Sequence, residues 1–226
     1  MTEETPGLNG KCRQAYGKRR GKRRGNMLAE LIRRAQDENE SVCDEVFEGE
    51  LLTDENMSQI EFERVRFVKC RFEHCNFDHA AFYHGKFVNC DFSNCSFVGS
   101  YWKKMEIAGS KGNGARLSEA VFKECRIEES LFDYADFSQS SWEACAVGNS
   151  KFRESFWTEV KLKKVNFQAV DFCRSDFFKT RLAGIDFSGC IIDGIQISTG
   201  FAELRGIKIG LEQAVSLAGL LGAEVV

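Results

Sequence analysis

The chain has 226 residues, 43% of them hydrophobic, and a formal net charge of −3, which bounds it to one large or two small globular domains. Its opening MTEETPGLNG carries acidic residues and no apolar core, and no later run approaches the ~18 apolar residues of a membrane span, so the reading is a cytoplasmic protein with no membrane partner. The 10 cysteines include no CxxC pair and come no closer than five apart, as at Cys70 and Cys75, which fits reduced thiols better than disulfides or zinc.

Charge is unevenly spread. Residues 1–40 hold ten Lys+Arg against six Asp+Glu, and the remainder holds 21 against 28. Residues 1–25 read as a basic, disordered arm. Its GKRRGKRRG at 17–25 could contact nucleic-acid phosphates, but no aromatic residue beyond Tyr16 is available for base stacking, so a solvated tail is the plainer reading. Residues 26–60 read as a cap. Leu28, Leu31, Ile32 and Ala35 fall at helical spacing after Asn26, a natural N-cap, and predict a short amphipathic helix over the end of the next element. Residues 41–60 are transitional: Phe47, Leu52 and Met57 keep a five-residue phase, but glutamates stand where small residues would be expected.

From Phe62 to Ile197 every fifth residue is bulky and apolar at all of 28 positions except Gly112. Two residues before each lies a second series, Val65, Cys70, Cys75, Ala80, Gly85, Cys90 and onward, almost all small or β-branched. The other three positions are mostly polar. Each unit of five therefore points two side chains in and three out. A helix would put fifth residues about 140° out of phase and a strand alternates with period two, so a strict five requires repeated corners.

This pattern, as in CRFEHCNFDHAAF, resembles the pentapeptide-repeat family. The resemblance implies an all-β solenoid: a right-handed quadrilateral β-helix over 61–200 with one pentapeptide per side, about seven coils, and short N-terminal and C-terminal helices. At the ~4.8 Å spacing of adjacent strands the rod would be roughly 34 Å long. Residues 201–226 read as a cap and dimerisation helix, because Leu211, Val215, Leu217, Leu220 and Leu221 cover more than one helical face, whereas a cap needs one stripe. The tail is also similar to the dimerisation segment of the quinolone-resistance members, which bind DNA gyrase and topoisomerase IV by imitating duplex DNA. That likeness implies a homodimer and a type II topoisomerase partner.

No catalytic, cofactor-binding or metal-binding set emerges. His74, His79 and His84 occupy equivalent outward positions of successive units, so they should point from three different sides and cannot converge on one ion. Seven cysteines fill the small inward position, where a thiol packs as a small apolar group. Asn76, Asp91, Asp136, Asn166, Asp171, Asp176 and Asp186 recur just before the central residue, where Asx side chains bond nearby backbone at turns. The segment AGSKGNGAR breaks the pattern: Lys111, Gly112, Asn113 and Gly114 read either as a projecting loop or as an irregular corner.

On the four-sided arrangement, the face containing Phe77 gathers Asp78, Glu119, Asp136, Glu159 and Asp176 against Arg116 and Lys179, a net of −3. The face containing Phe62 carries eight basic residues against four acidic ones, a net of +4. Duplex DNA carries one charge per ~1.7 Å of axis, about twenty over such a rod, so imitation would be partial. The two functions in view are a non-enzymatic topoisomerase partner protecting against quinolones, and an interaction scaffold for an unrelated partner.

Overall fold

A computed structural model describes residues 27–38, 40–220 and 222–223. The basic stretch 17–25, Asn26 and Leu221 lie outside the described residues. The chain winds as a four-sided β-solenoid in which residues 20 apart pair in parallel, as Phe62 with Phe82 and Phe67 with Phe87. Face 1, centred on the Phe62 column, is a seven-stranded parallel sheet running from Val42–Cys43 to Lys161–Lys163. Face 2, the Phe67 column, is a second seven-stranded sheet from Val46–Glu48 to Asn166–Gln168. Faces 3 and 4, the Phe72 and Phe77 columns, are held mainly by single bridges that continue to Ile191 and Gln196.

Corners explain the period. The second residue after nearly every central one adopts left-handed backbone, Gly189 and Thr199 near the carboxyl end excepted, including side chains as long as Arg64 (φ 55) and Lys104 (φ 54). Such backbone costs an L-residue roughly 1 kcal/mol or more, and here an inter-coil bond is made at the same residue, as from the Arg64 amide to Tyr83 O (2.8 Å). On faces 3 and 4 the corner closes as a turn, with the Ala80 amide donating to Phe77 O (3.0 Å). Asx side chains brace it: Asn76 Oδ1 accepts the Asp78 amide at 2.8 Å, and Asp136 Oδ1 the Ser138 amide at 2.9 Å. Asn166, by contrast, sits within a strand of face 2.

Inside, the central side chains stack along the rod. Ring centroids lie 5.1 Å apart for Phe62–Phe82, 4.3 Å for Phe82–Trp102 and 4.1 Å for Phe122–Trp142. The small position supplies weak donors to the preceding coil, with Cys70 Sγ 3.3 Å from Phe47 O and Ser110 Oγ 3.3 Å from Phe87 O. The described cysteines at 70, 75, 90, 95, 125, 145, 173 and 190 are free thiols. Among the described residues no buried side-chain nitrogen or oxygen lacks a hydrogen-bond partner.

Two expectations are corrected. Residues 41–60 are not a transitional cap but a coil: Val42, Phe47 and Leu52 pair in 20-residue register with Phe62, Phe67 and Phe72. Glu45, Glu50 and Glu55 are accommodated there because each is only half-buried; burial, then the Asp44 carboxylate, raises the Glu45 pKa. The segment Lys111–Gly114 does not project. Lys111 bridges both Asp91 and Leu131, and the Gly112 amide donates to Leu131 O at 2.7 Å, so the coil runs through it in register.

Both ends are covered. Helix α1 (Met27–Glu38) buries Leu28, Ile32 and Ala35, with Leu31 half-buried, and Gln36 Nε2 donates to Asn56 O at 2.6 Å. At the other end a short 3₁₀ turn, Ala202–Leu204, leads to helix α2 (Leu211–Leu220). Gln213 there accepts the Gly210 amide and donates to Cys190 O at 2.9 Å, pairing a carbonyl of the last coils.

Candidate functional site

The solenoid register sets which side chains share a surface. Asp78, Glu119, Asp136, Glu159 and Asp176 all fall on face 4, as do Arg116 and Lys179. Their chemistry differs. Asp78 accepts the Ser96 hydroxyl (2.5 Å) and the Val98 amide (2.9 Å) of the next coil, so it braces the fold as much as it faces solvent. Asp136 and Asp176 bond the amides of Ser138 and Phe178. Glu159 takes Lys179 Nζ at 3.1 Å, and the Lys179 hydrogen bond, followed by that of Gln139, holds its carboxyl below the usual range. Glu119 is exposed. The stripe keeps its net negative charge, but only the two glutamates are available without disturbing a backbone bond.

One feature of face 4 went unread in the sequence. Phe156 and Phe178 occupy outward positions and are 48% and 40% exposed, and Phe156 bridges Asp136 and Asp176 in the adjacent coils. Each stands one place from an inward aromatic, Trp157 and Phe177, so its outward register is legible once the period is counted.

Face 1 carries the opposite charge. Lys163 pairs with Glu143 at 2.5 Å, Lys104 approaches Glu124 at 3.8 Å, and Lys123 Nζ lies 5.7 Å from the centroid of the Tyr101 ring. His74, His79 and His84 are exposed on faces 3, 4 and 1. No group of His, Cys, Asp and Glu among the described residues could hold a metal ion. No helix among them is long and apolar enough to cross a membrane.

On helix α2, Leu217 is buried against the solenoid and Leu220 is half-buried, while Leu211 is 84% and Val215 46% exposed. Beneath this end, Glu203 is buried; its carboxylate accepts the Lys179 amide (2.8 Å) and the Ser198 hydroxyl (2.8 Å). Burial alone would raise its pKa, but these bonds and its own backbone amide together hold it below the ordinary value.

The family model for pentapeptide repeats matches in eight copies over residues 56–100 and 158–194. No curated protein matches the chain. Among solved structures, two trypsin-treated variants of QnrB1, a plasmid-mediated fluoroquinolone resistance protein, are 20% and 23% identical and cover 82% of this chain. They are themselves covered over 97% and 99% of their length, each with a TM-score of 0.45. HetL, a pentapeptide repeat protein involved in heterocyst differentiation regulation from the cyanobacterium Nostoc, is 12% identical, with 80% of this chain and 93% of that one covered and a TM-score of 0.30.

Proposed function

Because this chain is a pentapeptide-repeat protein, we propose that it acts by binding rather than by catalysis, with face 4 docking on a protein partner, and that the partner is a type II DNA topoisomerase shielded from quinolones. The observation that carries the reading is the composition of that face. An acidic stripe alone is a solvated surface, but Phe156 and Phe178 stand exposed among Asp136, Glu159 and Asp176. Aromatic residues ringed by polar groups are what protein interfaces concentrate. The negative stripe would steer toward a basic, DNA-accepting groove.

Gyrase supercoiling measured across a titration of the protein, with and without a quinolone, tests this. Dose-dependent inhibition or drug protection is expected, weakened by roughly tenfold or more in Glu119→Lys/Glu159→Lys. Those two are chosen because reversing Asp78, Asp136 or Asp176 would break backbone bonds. No effect at large molar excess sinks the topoisomerase assignment and leaves an interaction scaffold whose partner is sought by pull-down on face 4.

The exposed side of α2 supports a homodimer. Leu211 and Val215 lie one turn apart on the side away from the buried Leu217, too apolar for a solvent face. Light scattering should give twice the chain mass, and Leu211→Glu/Val215→Glu should give a monomer. A wild-type monomer at high concentration would refute it.

A further inference from the structure

Both large sheets stop short. Face 1 ends at strand Lys161–Lys163 and face 2 at Asn166–Gln168, while the bridges of faces 3 and 4 continue a coil further. The next coil bonds forward instead: the amides of Leu182, Gly184 and Phe187 donate to the carbonyls of Glu203, Gly206 and Lys208. In this last turn the register lengthens from 20 to 22 residues, Asp186 pairing with Lys208. The core shows the effect on face 1. Leu162 is only half-buried, whereas Phe82, Trp102, Phe122 and Trp142 before it are at most 1% exposed.

What opens is a cleft of ≈ 570 Å³ between the edge strand and the segment 179–183, with Leu162 and Ala183 in its wall and Lys161, Lys179 and Arg181 around it. A second cleft, ≈ 410 Å³, shares Lys179 and Arg181 with the first and is also lined by Ser198 and Arg205. Four cations, Lys161, Lys179, Arg181 and Arg205, line the two clefts together with the carboxylates of Glu159 and Glu203, and Lys163, Lys164 and the Lys163 partner Glu143 lie on the same face outside them. Glu143 and Glu159 are each engaged by a lysine, and Glu203 is buried on backbone and hydroxyl donors. Lys161, Lys164, Arg181 and Arg205 are exposed.

We propose that this cleft binds the phosphate groups of a small phosphorylated molecule. An arginine fork and a lysine ammonium beside a strand edge with no further sheet partner match the oxygens of a phosphate, which take charge-assisted hydrogen bonds. The volume lies in the range of small-ligand sites rather than of an extended polymer track. The other lysines of face 1 border neither cleft: Lys103 and Lys123 sit on strands paired on both sides, and Lys104 directly follows the first of these. Charge alone therefore does not distinguish the two clusters; the open edge does.

Calorimetric titration of the full chain with inorganic pyrophosphate, and separately with a single-stranded oligothymidylate, tests it. Saturable pyrophosphate binding is expected, weakened about ten- to a hundredfold by Arg181→Ala, as for loss of one charged hydrogen-bond partner, and reduced likewise by Lys161→Ala. Lys103→Ala should leave it unchanged. Both cleft residues are exposed, so circular dichroism of the variants should match the wild type. No binding at millimolar pyrophosphate, equal weakening by Lys103→Ala, or binding by the oligothymidylate alone would each overturn the assignment, the last by placing the phosphates on a nucleic acid.

Discussion

Replacing Gly112 by leucine, which would restore the residue type found at the other 27 positions of its series, is expected to destabilise the protein. The glycine stands in the face 3 column between Phe92 and Phe132, two coils apart. Their rings nonetheless meet, with centroids 5.9 Å apart, because both lean into the space above and below residue 112. A Cβ there would lie 2.6 Å from Phe92 Cε2 and 2.6 Å from Phe132 Cε1, closer than real contacts allow. Neither ring is free to retreat: Phe92 packs on Phe87 and Phe97, and Phe132 on Phe137 and Phe152. Overpacking of this kind costs about 1–3 kcal/mol, occasionally more. A urea melt should show a lower midpoint for Gly112→Leu, with Gly112→Ala intermediate, and Phe92→Leu should recover part of the loss in the Leu variant through a shared contact. A raised midpoint would mean that the rings can turn back into an ordinary ladder, and that the glycine is a defect rather than a fitted part.

The period of five made the core legible because burial in a solenoid is local: each inward residue answers to its neighbours 20 away and not to a distant chain segment. Phe122 and Phe137, whose exposure would have refuted the register, are 1% and 0% exposed. Failures of legibility fall where composition and geometry part. Glutamates at 45, 50 and 55 disguised the first coil, since a half-buried small position tolerates a carboxylate that a fully buried one would not. Gly112 read as a break because a missing side chain looks the same in sequence whether the chain bulges out or two rings close over it. The corners were hidden for a related reason. Glycine or asparagine marks left-handed backbone, yet Arg64, Lys69 and Lys104 adopt it, held by bonds to the next coil that no single sequence position reveals.

The proposed docking surface was legible in part. Register alone places five carboxylates on one face, but not that Asp78, Asp136 and Asp176 spend hydrogen-bonding capacity on backbone amides. That distinction decides which variants test binding and which merely unfold a coil. The cleft could not be read from sequence at all. Lys161 and Arg181 are 20 apart, as are dozens of stacked pairs, and only the loss of strand pairing between their coils separates this site from the Lys103–Lys123 pair.

That discontinuity also sets what the largest core truncation should do. Trp142 is 1% exposed, stacks on Phe122 at 4.1 Å, contacts Phe137 and Trp157, and donates from Nε1 to Ser140 Oγ at 3.0 Å. Trp142→Ala should cost about 3–5 kcal/mol through lost burial and the cavity left behind, and it leaves the buried Ser140 hydroxyl without this donor. In a solenoid such a loss weakens one inter-coil interface rather than the whole rod. On the carboxyl side stand Leu162 and coils whose two large sheets have already ended, so that end has fewer ladder bonds to keep it folded alone. Hydrogen exchange should therefore show amides from about residue 161 onward losing protection before those of the Phe62–Trp102 coils, and urea unfolding should become biphasic. Trp142→Phe, which keeps an aromatic in the stack, should remain a single transition with a smaller shift. A single transition for Trp142→Ala with an unchanged midpoint would show that the aromatic column does not couple the two ends.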